Sequence, residues 1–139
     1  MPEYLHATPQ GSLNLLSRSI NGPIVMLNLL NFREAADYTG YPDLDPGHPL
    51  TGRQAYGLYM QAVRPLIVGA GGELVFMGRG GKFVVGPEAE GWDMVLVVRY
   101  PSVGAFVEFA QSEGYAAIAG HRTAALADSR LLPLEEGWD

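Results

Sequence analysis

The 139-residue chain has 47% hydrophobic and only 17% charged residues, with a net charge of −6. Its few Lys and Arg side chains are scattered singly, which argues against a nucleic-acid-binding surface because phosphate contacts need clustered cations. The absence of cysteine excludes disulfides, thiolate metal sites and cysteine nucleophiles, and we expect a cytoplasmic protein without a signal peptide or a membrane span.

Short helices and strands alternate along the chain, separated by turns rich in Gly and Pro. Thr8 followed by Pro9 is typical of a helix start. The run over 24–32 is too short for a typical helix and is apolar on both alternating faces, which indicates a strand covered on both sides. We predict, in chain order, a helix over 8–19, a strand over 24–32, an irregular loop over 33–50, a helix capped by Thr51 and running to 68, strands over 73–78 and 92–100, a helix capped by Ser102, a helix over 112–127 and a strand over 130–134. Residues 82–85 either continue the second strand or pair back on it.

A helix followed by the order β-α-β-β-α-β is typical of an α+β ferredoxin-like fold. Two helices then cover one face of the sheet, and the other face is bare but apolar on the first and third strands. Low charge content also indicates less polar surface than a monomer usually has. We therefore expect a second copy of the chain to cover the bare face in a homodimer. Residues 1–22 are predicted to be an N-terminal helical extension of a ferredoxin-like domain over 23–139.

The sequence lacks the motifs of dinucleotide-binding, metal-binding and hydrolytic sites in the structural context that each requires. The Gly-rich segment 69–72 follows a helix, whereas a dinucleotide fingerprint follows a strand. The histidines lack metal-pair spacing, and no Gly-x-Ser-x-Gly elbow is present. Asp43, Asp45 and His48 cluster in the long loop, where a solvated Asx-turn is the favoured interpretation and a metal site or catalytic dyad is the alternative. His121 lies off the predicted buried stripe of its helix, which favours a surface role.

Three polar residues remain as candidate site residues. Asn28 lies mid-strand among apolar residues, so its amide either ties down a neighbouring loop or points into a cavity. Arg122 lies on the apolar stripe of the last helix, where it forms either an internal salt bridge or an anion site in the cleft. Arg79 lies between two glycines at the end of a strand, a pattern explained either by a β-bulge or by the close approach of a ligand.

Tyrosines on two helices are further candidates. Tyr56 and Tyr59 share one face of the long helix, and Tyr115 lies on the apolar stripe of the last helix. Most aromatic residues at such spacing belong to the core, but a phenol hydroxyl at the edge of a cleft can orient a substrate or donate a proton. Tyr59 and Tyr115 therefore join the candidate set.

Several short motifs occur in the order and at the spacing of a known protein family. They are Gly71-Gly72, Tyr-Pro-Ser at 100–102, Ser112 with Tyr115, Arg122, and Asp-Ser-Arg at 128–130. The resemblance is carried by these motifs and by the segments VMLNLLNF, AYGLYMQAVRPLIVGAGGELVFMGRG, WDMVLVVRYPSVGAFVEFAQSEGY and HRTAALADSRLLP. Over about residues 23–134 the chain resembles the domain-of-unknown-function family 1330, of the dimeric α+β barrel superfamily. The resemblance implies a dimer in which two sheets face each other to form a barrel.

The superfamily that the chain resembles includes cofactor-free monooxygenases, muconolactone isomerases, haem-degrading enzymes and regulatory domains, so the fold alone does not choose a function. The Asn, Trp and His set of the haem-degrading branch is incomplete here. Asn28 and Trp92 are present, but no His follows on the matching helix face, which argues against haem.

Two functional hypotheses follow. The first is an enzyme of monooxygenase or isomerase type, without a tightly bound cofactor or metal, acting on a small anionic or phenolic compound. Its arginines would hold an anionic or enolate oxygen, and its tyrosines would orient or protonate that oxygen. The second is a non-catalytic ligand-binding or stress-related dimer, which the lack of an acid–base pair at recognisable spacing favours. The candidate ligand-binding residues are Asn28, Tyr59, Arg79, Tyr115 and Arg122.

Overall fold

A computed structural model describes residues 3–138 of the chain. Its elements are, in chain order, helix α1 (Pro9–Ser17), strand β1 (Ile24–Phe32), helix α2 (Gly52–Gly69), strands β2 (Glu73–Arg79) and β3 (Met94–Tyr100), helices α3 (Val103–Ala110) and α4 (Glu113–Ala125), and strand β4 (Leu126–Glu135). A turn of 3-10 helix, Pro42–Leu44, lies in the loop between β1 and α2. The predicted ferredoxin-like α+β order and the extra N-terminal helix are confirmed, with α3 and α4 together filling the second helical position.

Polar caps set the starts of the helices, as predicted. The hydroxyls of Thr8, Ser102 and Ser112 each accept a backbone N–H from the first turn of their helix. Thr51 and Gln54 form a complete capping box, in which each side chain accepts the other residue's backbone N–H at 3.0 and 2.9 Å. These bonds satisfy backbone donors that have no partner inside the helix.

The four strands form one antiparallel sheet in the order β2-β3-β1-β4. β1 and β3 are central, and β2 and β4 are the edges. Asn28 of β1 lies between Leu96 of β3 and Leu131 of β4. Because side chains alternate across each strand, this register assigns every sheet residue to one of two faces.

One face is covered by helices and carries the core. Ile24, Met26 and Leu30 of β1 are at most 2% exposed. They pack with residues of β3 and of all three helices that follow β1 in the chain: Leu96, Val98, Tyr100, Ala55, Tyr56, Tyr59, Met60, Val63, Ile67, Phe109, Ala124 and Ala125. Within residues 3–138 no helix is long and apolar enough to cross a bilayer.

The opposite face of the sheet, called the open face below, is also apolar. Its apolar residues are Val25, Leu27 and Leu29 of β1, Phe76 of β2, Val95 and Val97 of β3, and Leu132 and Leu134 of β4. Phe76 and Leu132 are 56% and 52% exposed. The prediction that both central strands are apolar on both faces is therefore confirmed.

Two predicted strand starts are wrong, and the segment 82–85 does not form a strand. β4 begins at Leu126 rather than at residue 130, because α4 ends at Ala125 and the chain continues into the strand without a loop. β3 begins at Met94 rather than at residue 92. In the segment 82–85 only Lys82 forms a β-bridge, with Gly91, and the remaining residues lie in a turn.

Pro133 is tolerated opposite Met26 because β4 is an edge strand.

The long loop over 33–50 is ordered because it completes the end of α4. The backbone N–H groups of Arg33 and Asp37 donate to the carbonyls of Ala125 and Ala124, at 2.8 and 2.9 Å. These carbonyls lie in the last turn of the helix, where no further intrahelical donors follow. The buried residues of α4 therefore include Gly120, Ala124 and Ala125, on a side of the helix that the apolar periodicity did not mark.

His121 is half-buried and belongs to the same contact between α4 and the loop. Its Nδ1 lies 2.7 Å from the hydroxyl of Tyr38, whose side chain is 8% exposed. The two rings pack edge to face with centroids 5.6 Å apart. Burial lowers the pKa of His121 below its ordinary value, so the imidazole that hydrogen-bonds to the Tyr38 hydroxyl is neutral near pH 7.

We predict that Gly120→Ala destabilises the protein by about 1–3 kcal/mol, a typical cost of overpacking. A Cβ at this position would lie 2.5 Å from Tyr41 Cδ1 and 2.7 Å from Leu44 Cδ1, so the loop must move away from α4. Urea unfolding measures the change. Gly57→Ala is the matched control, because a Cβ there would meet no neighbouring atom within 4 Å and Ala favours the helix. Equal stability of the two variants would contradict the packing of the loop on α4.

We also predict that the free energy of unfolding decreases as pH falls below about 6.5, the ordinary pKa of His. The unfolded chain binds a proton at His121 in this range while the folded chain, with its lowered pKa, resists it, so acid favours unfolding. Urea unfolding at several pH values measures the slope. His121→Gln should flatten it and His48→Gln, in an exposed loop position, should not. An unchanged slope in His121→Gln would contradict the assignment.

Candidate functional site

A gap in the helical cover lies over the centre of β1 and β4. Ile24, Met26 and Leu30 are buried on this face of β1, but Asn28, between them, is half-buried. Its neighbour on β4, Leu131, is 45% exposed on the same face. The sheet is therefore accessible at this point on the side that the helices otherwise cover.

Arg122 of α4 lies beside this gap. Its Nη1 donates to the carbonyl of Leu5 at 2.7 Å and its Nη2 to the hydroxyl of Ser129 at 3.3 Å. Among residues 3–138 no carboxylate forms an ion pair with it, so the salt bridge considered from the sequence is wrong. The guanidinium is held by neutral acceptors and keeps its positive charge uncompensated by any nearby carboxylate of the described chain.

Three tyrosines lie close to Arg122. Tyr56 and Tyr59 come from α2 and are 2% and 7% exposed, and Tyr115 comes from α4 and is half-buried. The hydroxyls of Tyr59 and Tyr115 lie 3.0 Å apart and form a hydrogen bond. Ring centroids are 5.2 Å apart between Tyr56 and Tyr59 and 6.2 Å between Tyr59 and Tyr115. The core position expected for Tyr56 and Tyr59 from helix spacing is confirmed, whereas the contact between the Tyr59 and Tyr115 hydroxyls joins two helices and was not predicted.

Burial keeps the Tyr56 and Tyr59 phenols protonated. Burial raises the pKa of Tyr59 well above its ordinary value, and the neighbouring hydroxyls raise it further. Burial likewise raises the pKa of Tyr56. The Arg122 charge opposes both shifts, which shows that it acts on both hydroxyls. Near neutral pH the group therefore presents O–H and N–H donors.

Asn28 adds an acceptor to this surface. Its Nδ2 donates to the carbonyls of Leu96 at 3.2 Å and Met26 at 3.3 Å, both in the sheet itself rather than in a loop. Its Oδ1 accepts no hydrogen bond from the described residues. Asn28 and Ser129 are diagonal neighbours on β1 and β4, about 7–8 Å apart at the backbone. A ligand of a few atoms spans that distance.

Arg79 lies apart from this group. It is exposed at the end of β2, the edge strand opposite β4, and three strand spacings amount to about 14 Å. The flanking glycines are explained by the chain itself. A Cβ at Gly80 would lie 2.3 Å from the carbonyl oxygen of Trp92, and a Cβ at Gly78 would meet the ring of Phe76 at 2.8 Å. The structure thus brings Tyr59, Tyr115 and Arg122 together and places Asn28 diagonally across the sheet from Ser129, whereas Arg79 lies apart.

Ser129 is the residue of this group that the sequence reasoning did not identify. It is 4% exposed, and its hydroxyl donates to the carbonyl of Tyr4 while it accepts from Arg122. Predicting β4 from residue 130 left Ser129 outside the strand. The signal that could have found it is its alternation with Leu131, which places both on the face that carries Asn28.

The long loop carries two adjoining surface cavities of about 360 and 610 Å³, both open to solvent. Tyr38 and Asp45 line both, and His48 lines the smaller one. Asp45 forms the predicted Asx-turn, since its Oδ1 accepts the backbone N–H of Gly47 at 2.8 Å. In the described part of the chain no three His, Asp or Glu side chains cluster as metal ligands would. None of the candidate residues Asn28, Tyr59, Arg79, Tyr115 and Arg122 lines either cavity.

Comparisons with known proteins agree with the fold. The model of the family described as a domain of unknown function (DUF1330) matches residues 49–135. RPA0582, a protein of unknown function from Rhodopseudomonas palustris, has a solved structure that is 34% identical over 99% of this chain and 100% of that chain, with a TM-score of 0.84. The structure of methylated RPA0582 gives 36% identity over 99% and 98% of the two chains and a TM-score of 0.85.

A more distant structure shares the fold alone. It is a dimeric ferredoxin-like protein of unknown function from Bacteroides fragilis NCTC 9343, with 11% identity over 84% of this chain and 99% of that chain and a TM-score of 0.51. No curated protein matches the chain. The family match covers more than half of the chain and the Rhodopseudomonas palustris protein nearly all of it, and so the chain belongs to the DUF1330 family.

Proposed function

We propose that the protein is a homodimer that binds a small anionic or phenolic organic molecule on the helix-covered side of its sheet, beside Arg122. The observation that carries the proposal is the half-buried guanidinium of Arg122, which has no carboxylate partner among residues 3–138. A cation removed from water is stabilised by an anion, and a ligand oxygen is the partner that this position lacks. Tyr59 and Tyr115 supply a hydrogen-bonded pair of phenol hydroxyls near it.

The chemistry of the group supports a ligand that accepts hydrogen bonds. Arg122 and the tyrosine hydroxyls donate, and Asn28 Oδ1 accepts. Such an arrangement is complementary to a carboxylate, phenolate or enolate oxygen with a neighbouring hydroxyl. Arg79 is outside the proposed site because it lies at the other edge of the sheet.

In the catalytic form of this proposal the site is that of a cofactor-independent enzyme, monooxygenase- or isomerase-like. Arg122 stabilises negative charge that develops on a substrate oxygen, and a protonated tyrosine donates to it. The raised pKa values of Tyr56 and Tyr59 suit them as donors and make them poor bases.

A second candidate function is a non-catalytic, ligand-binding or stress-related dimer. It is favoured by the hydrogen bonding of the site, which is already internal: Tyr59 bonds Tyr115, and Arg122 bonds Leu5 and Ser129. No His, Asp or Glu among the described residues hydrogen-bonds to the side chains of Asn28, Tyr59, Tyr115, Arg122 or Ser129 as a general base would. Incubating the protein with a bound ligand and following the ligand by NMR separates the two, since only the enzyme converts it.

The apolar open face of the sheet is the observation that supports a homodimer. Its centre is apolar, and ion pairs bound it at both ends: Arg99 with Glu136 at 2.5 Å and Arg130 with Asp128 at 2.7 Å. An apolar centre with a charged rim is the usual anatomy of a subunit interface. A second copy related by a two-fold axis presents the same surface and covers it.

We predict that carboxylates or phenols raise the melting temperature of the wild-type protein in a thermal-shift screen that also includes quinols and lactones. Saturation at a hundred times Kd stabilises a protein by about 2.7 kcal/mol. Tyr115→Phe, which removes one hydroxyl, and Arg122→Gln should weaken the binding of the ligand found, the latter by about 10–100-fold, as expected for a lost charge-assisted hydrogen bond.

Arg64→Gln is the matched control for that experiment, because Arg64 is exposed on α2 and away from the gap. Since Arg122 also holds the N-terminal segment, the readout is the ligand-induced shift of each variant and not its absolute melting temperature. Equal shifts in wild type, Arg122→Gln and Tyr115→Phe would refute the site.

We predict further that Leu132→Asp abolishes dimerisation and that Leu131→Asp does not. The two leucines are neighbours on β4 with similar exposure, 52% and 45%, but only Leu132 lies on the open face. Dimer formation makes the melting temperature depend on protein concentration. That dependence should be lost in Leu132→Asp alone. Loss in both variants, or in neither, would count against the open face as the interface.

A further inference from the structure

The connection between β2 and β3 is a hairpin whose tip is apolar and unpacked. At its base Gly80 N donates to Asp93 O at 3.0 Å and Trp92 N to Gly81 O at 3.1 Å. Farther out, Lys82 bridges Gly91. The tip residues Phe83, Val84 and Val85 are 42%, 102% and 90% exposed. The hairpin is thus held in place by backbone bonds while its hydrophobic residues contact little of their own chain.

The base of this hairpin lies on the open-face side of the sheet. Asn31 and Arg130 are open-face positions. The residues that precede them in their strands, Leu30 and Ser129, are buried on the opposite face, and side chains alternate between the faces. Asn31 Nδ2 donates to Gly91 O at 3.0 Å, and the Arg130 guanidinium lies 5.0 Å from the centroid of the Trp92 ring.

Trp92 strengthens this placement. It is 4% exposed, but it is absent from the core between the sheet and the helices. Its burial therefore comes from contacts on the open-face side, including the stacked guanidinium of Arg130, which also lies 4.7 Å from the Tyr4 ring. The hairpin that Trp92 anchors consequently leaves the sheet at one end of the open face.

We propose that the hairpin over 80–91 is an arm whose tip, Phe83 to Val85, packs against the second copy of the chain when two open faces meet. The inference rests on the homodimer proposed above and adds a contact outside the sheets. A stable interface buries about 800 Å² per partner, more than three side chains supply. The tip is therefore an extension of the larger open-face interface, with which its base is continuous.

A lipid surface is a less suitable occupant because of the charge around the tip. The segment from 82 to 93 carries one cation, Lys82, and three acids, Glu88, Glu90 and Asp93. A net negative segment is repelled by anionic headgroups.

The absence of cysteine allows a direct test with single labels. Val84→Cys and Val68→Cys, each carrying an environment-sensitive fluorophore, compare the tip with an exposed valine on α2 (71% exposed). As the protein is concentrated through the range in which sedimentation shows dimers, emission from position 84 should shift to shorter wavelength and emission from position 68 should not. Dimers with an unshifted label at 84 overturn the arm and leave the homodimer standing. A monomer at every concentration overturns both.

The double variant Val84→Asp with Val85→Asp provides a second test without a label. Its side chains contact little of their own chain, so it should fold as the wild type does, and it should weaken the dimer about tenfold or more, as loss of an interface anchor does. Val68→Asp should leave the dimer unchanged. An unchanged dimerisation constant in the double variant overturns the arm, as does binding of the wild type to vesicles containing phosphatidylserine through this tip.

Discussion

A four-stranded sheet with two apolar faces and helices on only one of them is the constraint on which the rest of the structure depends. Ile24, Met26 and Leu30 satisfy it on one side, where they are almost fully buried. On the other side Phe76 and Leu132 remain more than half exposed. Exposed contiguous apolar surface is rare on soluble monomers, and here it has a charged rim, which is the pattern of a self-complementary interface.

On the helix-covered side, the polar guanidinium of Arg122 lies at a position where an apolar side chain would stabilise the core. Arg122 is held by Leu5 O and Ser129 Oγ, so it also ties the N-terminal segment to β4. Burying a guanidinium among tyrosines without a carboxylate costs stability, which a purely structural role does not explain well. The ligand oxygen that we propose for this position would offset that cost and would give the tyrosine hydroxyls and Asn28 a common partner.

Local sequence patterns predicted much of the fold because the relevant interactions are local. The run over 24–32 is apolar at every position but two and is bounded by Gly-Pro, so its limits agree with β1. Thr51 with Gln54 marks the start of α2 for the same reason. The start of β4 was missed because the chain passes from Ala125 to Leu126 without a turn residue, and helical and strand periodicities overlap there.

Features that depend on distant segments were not predictable in this way. His121 lies off the apolar stripe of α4, yet the loop over 33–50 places Tyr38 against it. The acceptors of Arg122 come from the N-terminal segment and from β4, and neither is signalled by the helix that carries it. The residues over 83–85 are aromatic and β-branched, which is typical of a strand, but beyond the bridge at Lys82 they pair with no strand of the described chain.

The central claim is that a second copy of the chain covers the open face, and the mass of the unmodified protein in solution tests it most directly. Sedimentation equilibrium at micromolar concentration should give a species of twice the 15.0 kDa of one chain. A single 15.0 kDa species across the whole micromolar range would contradict the account, because the open face would then be stable in water without a partner.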